Sequence, residues 1–190
     1  MKSFVKSWGL TILLLVIIAL ARLFVFTPVT VRGHSMDPTL EDGQRLISSK
    51  IAKIDRFDII TTEEPGDESR MIVKRVIGLP GDHVQMTDDQ LTVNGKKYDE
   101  AYLDDFKAQF KEDKLQEEYS YDTSFQERAA SQSTFTDDFD YVVPEGKYFV
   151  LGDNRLISKD SRIFGLVDED LIQGEVVLRY WPLNKISLMK

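Results

Sequence analysis

Val29-Thr30-Val31-Arg32-Gly33-His34-Ser35-Met36-Asp37-Pro38-Thr39-Leu40 is the stretch on which the fold turns. Apolar and polar residues alternate through Thr27–Gly33, the period of a strand with one buried face. Pro38 ends that pattern, because it has no N–H for a ladder and fixes its own φ. Ser35 is therefore expected at a strand-to-turn corner, its hydroxyl projecting from a rigid support. Alone, Gly-x-Ser-x-x-Pro also reads as an ordinary tight turn. Two later stretches give it company: Lys74-Arg75-Val76-Ile77-Gly78-Leu79-Pro80-Gly81-Asp82, and Gly152-Asp153-Asn154-Arg155 followed by Ser158-Lys159-Asp160-Ser161-Arg162.

Toward the N-terminus, Lys2 and Lys6 precede the apolar run Trp8–Ala21, which resumes after Arg22 as Leu23-Phe24-Val25-Phe26. A helix over Trp8–Phe26 extends about 28 Å at roughly 1.5 Å per residue, near the hydrocarbon thickness of about 30 Å. The lysines predict a cytoplasmic N-terminus with the remaining chain outside. The alternative is a cleaved leader, for which Ala19-Leu20-Ala21 offers a small-residue site. Against it, the apolar stretch continues to Phe26, and Arg22 can snorkel to the interface.

Beyond the anchor the pattern is mainly β. Short apolar-rich runs at Gln44–Ser48 and Phe57–Thr62 are followed by a longer one at Arg70–Leu79. Asp82–Tyr98 reads as hairpins turning at Asp88-Asp89 and Asn94-Gly95. Strands are expected again at Tyr141–Val143, Lys147–Leu151 and Glu175–Trp181. Between these, Tyr102, Phe106, Phe110 and Leu115 recur near helical spacing, predicting one amphipathic helix over Ala101–Glu118. Asp99 to Asp140 holds 13 acidic and 4 basic residues, so this segment carries −9 of a net −8 and the rest is near neutral. It reads as an insertion capping the sheet, with Ser131-Gln132-Ser133-Thr134 as loop.

Composition excludes several chemistries. A chain of 190 residues suits one domain plus an anchor, and a net charge of −8 argues against non-specific nucleic-acid binding. The absence of Cys removes disulfides, thiolate metal sites and a Cys nucleophile; with His34 and His83 the only histidines, no metal is expected. A serine nucleophile needs a base within hydrogen-bond reach. His34, adjacent to Ser35, points to the opposite face of an extended backbone, and His83 follows a Gly-Asp turn. Lys74 lies in Met71-Ile72-Val73-Lys74-Arg75-Val76-Ile77, an apolar strand pattern. It is either an edge or solvent-face lysine, or a buried one whose pKa falls from about 10.4 toward neutrality and whose neutral amine can accept a proton.

Taken in order, the three stretches resemble the boxes of the bacterial type I signal peptidases, serine proteases with a Ser–Lys dyad. The likeness runs from the apolar N-terminus to Trp181-Pro182, and the small cap and Gly33 resemble the Gram-positive members. The resemblance implies a mostly β fold: a signal-peptidase-type coiled sheet or barrel with one N-terminal transmembrane helix and a small acidic, partly helical cap. Residues 1–26 would be cytoplasmic N-terminus and anchor, and 27–190 the extracytoplasmic catalytic domain, with the cap at about 99–140. It assigns Ser35 as nucleophile and Lys74, which opens Lys-Arg-x-x-Gly-x-Pro-Gly-Asp, as general base. Arg75 would be structural, paired with Asp153. Ser158 would hydrogen-bond the Lys74 amine, and Asp160 and Arg162 would pair beneath the site.

The backbone N–H of Ser35 would stabilise the oxyanion. The side-chain donor that some relatives carry two residues before the nucleophile is replaced here by Gly33. Val29, Val31, Met36, Leu40, Ile72 and Val73 would wall shallow pockets for small residues at −1 and −3 of a signal peptide, or serve as core. The substrate would add to the sheet as a strand. Asp168 stands where relatives often have Pro, and Leu156 and Ile157 are unusually apolar for their loop. No cofactor is implied; the expected partners are exported preproteins and the lipid bilayer, with the chain a monomer at the cell membrane. A non-catalytic relative that assembles surface fibres is a rival reading, but such proteins lose the Ser–Lys pair. A self-cleaving repressor of the DNA-damage type would carry a DNA-binding domain and no anchor.

Overall fold

The computed structural model describes residues 2–189. Met1 and Lys190, the end points of the expected domains, lie outside the described residues, as do the side chains of Lys2 and Lys6 on which the expected orientation rests. Helix α1 (Lys2–Phe24) ends two residues before the expected Phe26, which instead opens strand β1 (Phe26–Thr30). Along α1 the side chains from Trp8 to Leu20 and that of Phe24 are largely exposed. Among the described residues no helix is long and apolar enough to cross a membrane.

β1 pairs antiparallel with β2 (Arg45–Ser49), placing Val29 opposite Leu46. The strand pattern expected through Gly33 stops at Thr30. There the chain leaves the ladder, although Val31 still exchanges backbone bonds with Gln44 (2.9 Å) and Gly43 (3.1 Å). β3 (Ile59–Glu64) and β4 (Asp67–Gly78) form a long hairpin, with Lys74 opposite Ile60. β5 (His83–Thr87), β6 (Gln90–Val93) and β7 (Lys96–Tyr98) are the expected hairpins. Asp88, Asp89 and Asn94 take positive φ of 48°, 61° and 52°, the backbone that two-residue hairpin turns demand.

α2 (Asp104–Asp113) and α3 (Thr123–Ser131) make the cap, and β8 (Phe139–Val142) and β9 (Lys147–Leu151) return the chain to the sheets. α4 (Ser161–Phe164), β10 (Val167–Asp168), β11 (Ile172–Trp181) and β12 (Ser187–Leu188) complete it. The larger sheet has the order β1-β2-β11-β3-β4-β9-β10, with β12 on β11, and the smaller β7-β6-β5-β8. The expected coiled sheet or barrel thus takes the form of two antiparallel sheets. Ile77, Phe149 and Leu151 of the first pack on Val84, Met86, Leu91 and Val93 of the second. Along β5 and β6 buried positions alternate with more exposed ones, the period of a strand with one face on the core.

The acidic insertion differs from the single helix expected over Ala101–Glu118. A 3₁₀ turn at Ala101–Leu103 leads into α2, which stops where Lys114 and Leu115 turn left-handed (φ 61° and 58°). The Asp113 carboxylate accepts the Leu115 N–H at 2.8 Å, supplying the partner that a continued helix would have given. α3 was not expected; Asp122 caps it by accepting the Phe125 N–H at 3.0 Å. The insertion is followed by β8, beginning at Phe139. Its core is Leu103, Phe106, Phe110, Leu115, Tyr119, Phe125, Ala129 and Phe135 together with Leu156, and Ile157 packs against it. The apolar character of Leu156 and Ile157 is thereby explained: their loop is the floor on which the cap sits. Asp168 ends β10 opposite Lys147 and forms an ion pair with it.

Candidate active site

Ser35 sits in a turn beyond β1, not at the strand's end. Gly33 holds φ 76°, a left-handed backbone that an L side chain strains, and its N–H reaches Asp42 Oδ1 at 2.7 Å. A hydroxyl-bearing residue at this position would therefore carry a backbone cost. Downstream, Met36 and Leu40 are buried with Val31, Leu46, Ile59 and Val176, and the Leu40 N–H bonds the Met36 carbonyl at 2.9 Å. From the other side the Asn154 N–H donates to the Ser35 carbonyl at 3.1 Å. Gly152 lets these chains approach: a Cβ there would lie 2.4 Å from the Ser35 carbonyl oxygen.

Lys74 is buried at 3% exposure, and its Nζ lies 2.9 Å from Ser35 Oγ. Burial disfavours the ammonium and brings the pKa from 10.5 to about 8, against the upward pull of the Asp160 and Asp153 carboxylates. The edge or solvent-face alternative is thus removed: β4 lies between β3 and β9, and the side chain faces inward. A lysine half neutral at about pH 8 and in contact with a serine hydroxyl can accept its proton.

Around this pair the expected ionic supports are assembled. Arg75 grips Asp153 through Nε–Oδ1 (2.9 Å) and Nη2–Oδ2 (2.6 Å), while Nη1 donates to the Phe57 carbonyl at 2.8 Å. Its guanidinium lies 3.9 Å from the Tyr102 ring centroid. Arg162 makes the same two-point contact with Asp160, both bonds at 2.8 Å. Asp160 Oδ2 also accepts the Gly152 N–H at 3.0 Å, tying the ion pair to the loop beneath Ser35. The Ser158 expectation is corrected. Its Oγ is buried and forms no hydrogen bond among the described residues, so it does not reach the Lys74 amine. The hydroxyl instead fills the space over Gly152, where a Cβ would come within 2.1 Å of it.

A cleft of about 1020 Å³ opens beside the pair, lined by Val29, Val31, Met36, Ile72 and Val73 with Ser35 and Lys74. Leu40, expected on this wall, is not there: at 0% exposure it is wholly core, turned inward by the bend that its N–H closes with Met36. Neither histidine engages Ser35 among the described residues. His34 Nδ1 faces Asp37 Oδ2 at 3.0 Å, and His83 on β5 meets the exposed Asp140 at 2.6 Å.

Sequence reasoning missed the residues linking cap to site. Glu100 and Arg155 form an ion pair with side chains 1% and 0% exposed. Burial works to raise the Glu100 carboxyl, but the Arg155 guanidinium wins and holds it at about 2. Tyr119, in an irregular stretch with no motif, donates its hydroxyl to Asp37 Oδ2 at 2.6 Å. Only the aromatic density of the insertion hinted at such a role.

The sheet thus buries a lysine against a turn-borne serine, beside a cleft of mixed apolar and polar lining. The family model described as "Signal peptidase, peptidase S26" matches residues 4–181, and the chain belongs to that family and is a peptidase. It is 46% identical over 199 residues to "Signal peptidase I" of Streptococcus pneumoniae (strain ATCC BAA-255 / R6), covering 98% of this chain and 97% of that one. It is 40% identical over 192 residues to "Signal peptidase IB" of Staphylococcus aureus (strain COL), covering 98% and 95%. The crystal structure of a signal peptidase I from Enterococcus faecalis V583 superposes with a TM-score of 0.50 at 36% identity, covering 66% of this chain and 97% of that chain.

Proposed function

We propose that this peptidase is a membrane-anchored signal peptidase that cleaves signal peptides from exported preproteins after small residues at −1 and −3. The observation that carries the reading is the 2.9 Å contact between Ser35 Oγ and a buried Lys74 whose pKa is about 8. The neutral amine takes the Ser35 proton as Oγ attacks the scissile carbonyl. The Ser35 N–H donates to the oxyanion that forms. The ammonium then returns its proton to the leaving amine, which departs as the mature N-terminus. Lys74, neutral again, deprotonates the water that hydrolyses the acyl-enzyme, and the signal peptide leaves with a free carboxylate. The Arg75–Asp153 and Asp160–Arg162 pairs keep the loops rigid enough for a desolvated amine to stay in place.

Val29, Val31, Met36, Ile72 and Val73 supply the shallow walls that admit small side chains, and the substrate backbone joins the sheet as a strand. The proposed anchor is the N-terminal segment that includes helix α1, whose large apolar side chains between Trp8 and Leu20 are exposed, a surface suited to lipid. Lys2 and Lys6 would set the N-terminus in the cytoplasm and the catalytic domain outside. Incubation of the purified full chain with a preprotein, followed by mass measurement of both products, tests the reading. A single cut after a small residue at −1, lost in Ser35→Ala and Lys74→Ala, supports it. No cut, or normal cutting by either variant, refutes it.

A further inference from the structure

The acidic cap meets the nucleophile turn through Tyr119 and Tyr121, and from the hydrogen bonds of the first we infer that Tyr119 is a positioning residue for Ser35. The inference rests on the proposed Ser35–Lys74 peptidase function. Tyr119 is 2% exposed, and its ring stacks on Phe125 of α3 with centroids 3.9 Å apart and stands edge-on to Phe106 at 6.1 Å. It is thus fixed in the core of the cap, while its hydroxyl points out of that core. The hydroxyl donates to Asp37 Oδ2 at 2.6 Å and accepts from Asn154 Nδ2 at 3.0 Å.

Asn154 bonds the Ser35 backbone directly, and Asp37 lies in the same turn and bonds the residue before the serine. Asp37 follows Ser35 by two residues, and its Oδ2 also meets His34 Nδ1 at 3.0 Å, so one carboxylate oxygen binds across the serine. Asn154 donates its backbone N–H to the Ser35 carbonyl at 3.1 Å. Tyr119 therefore closes a ring of hydrogen bonds that runs His34, Asp37, Tyr119, Asn154 and back to Ser35. Asp37 Oδ1 and Asn154 Oδ1 are buried without hydrogen bonds among the described residues, so the Asp37 carboxylate is held through Oδ2 alone, by Tyr119 and His34. The His34 ring adds an edge contact to Tyr119, at 6.1 Å and 88°.

The Ser35 N–H and Oγ are the two groups that must meet the developing tetrahedral centre, and their placement is set by this turn. The cap thereby acts in the chemical step without touching substrate. Misplacement by a fraction of an ångström affects kcat rather than binding.

The experiment measures kcat and KM of the full chain on a preprotein, beside thermal unfolding, for Tyr119→Phe, Asp37→Ala and Asp37→Asn. Tyr119→Phe keeps the stacked ring and deletes only the hydroxyl. Its kcat is expected to fall about tenfold with KM within twofold of wild type. Asp37→Ala should match that loss, whereas Asp37→Asn, which keeps an oxygen for the Tyr119 hydroxyl, should lose less than about threefold. The double variant Tyr119→Phe/Asp37→Ala should be no slower than the worse single variant, because both break one link. Should Tyr119→Phe fail to fold, the contrast between Asp37→Ala and Asp37→Asn reads the same link from the other side. An unchanged kcat in Tyr119→Phe, a loss confined to KM, or multiplicative effects in the double variant overturns the positioning role alone. A wild-type chain that does not cleave the preprotein overturns the proposed function, and this inference with it.

Discussion

Lys74→Met replaces a buried amine by an apolar chain of similar length, and the structure gives the size of the response. The Lys74 pKa of about 8 against 10.5 for a solvated lysine is a difference of about 2.5 units, or about 3 kcal/mol of penalty on the charged form. At 3% exposure this needs no discount for solvent screening. The unfolded chain holds the proton up to about 10.5 and the folded chain gives it up near 8, so between these values the unfolded state binds more protons. Wild-type stability therefore rises with pH across that window, and below pH 8 the full penalty is present. Methionine removes the penalty but also the hydrogen bond to Ser35, worth about 1 kcal/mol. The inactive Lys74→Met chain should accordingly be about 2 kcal/mol more stable than wild type at pH 7, a rise of about 4–8 °C in Tm. At pH 10 the advantage should largely vanish. Urea unfolding of both chains at the two pH values is the assay. A Lys74→Met chain less stable than wild type at pH 7, or an equal difference at both pH values, would refute the buried-amine reasoning.

Gly152→Ala places a Cβ 2.4 Å from the Ser35 carbonyl oxygen and 2.1 Å from Ser158 Oγ, and backbone cannot yield cheaply there. Its kcat should drop by about 10²-fold or more, read against wild type on the same preprotein. Glu100→Gln leaves Arg155 charged and buried, and urea unfolding at pH 7 should register a loss of about 3–5 kcal/mol. In the wild type the Glu100 carboxyl at about 2, below its usual 4.5, contributes stability that is present above pH 4.5 and lost as pH falls toward 2. That acid limb should be shallower in the Gln variant. Asp160→Asn breaks a buried pair beneath Gly152 and should cost about 3 kcal/mol, measured in the same unfolding assay.

Alternation marked the strand before Ser35 and apolar-rich runs marked most of the others, of which Lys147–Leu151 forms over the expected residues. Position 74 was informative because a lysine among Ile72, Val73, Val76 and Ile77 breaks an apolar pattern, and burial is what the sheet then imposes. Less was visible in the insertion. α3 spans nine residues, too few turns for its Phe125 and Ala129 to stand out as a periodic face. The stop at Lys114 and Leu115 depends on left-handed backbone at non-glycine residues, which no local propensity signals. Ser158 carried the right motif, but motif spacing says nothing of rotamer, and its hydroxyl lies over Gly152 instead of on the amine. Leu40 follows Ser35 closely yet is wholly core, its N–H bonded to the Met36 carbonyl. Tyr119 was illegible for a general reason: its partner Asp37 is 82 residues away and meets it only once cap and sheet have docked.

The Ser35–Lys74 dyad is tested most directly by the pH dependence of kcat/KM for the wild-type chain on a peptide spanning a cleavage site. Only the neutral amine can accept the serine proton, so kcat/KM should rise tenfold per pH unit on the acid side and level off at about 8, the Lys74 pKa. A limb near 6.5 would indicate a histidine base, and one near 10 a solvated lysine, and either result contradicts the dyad.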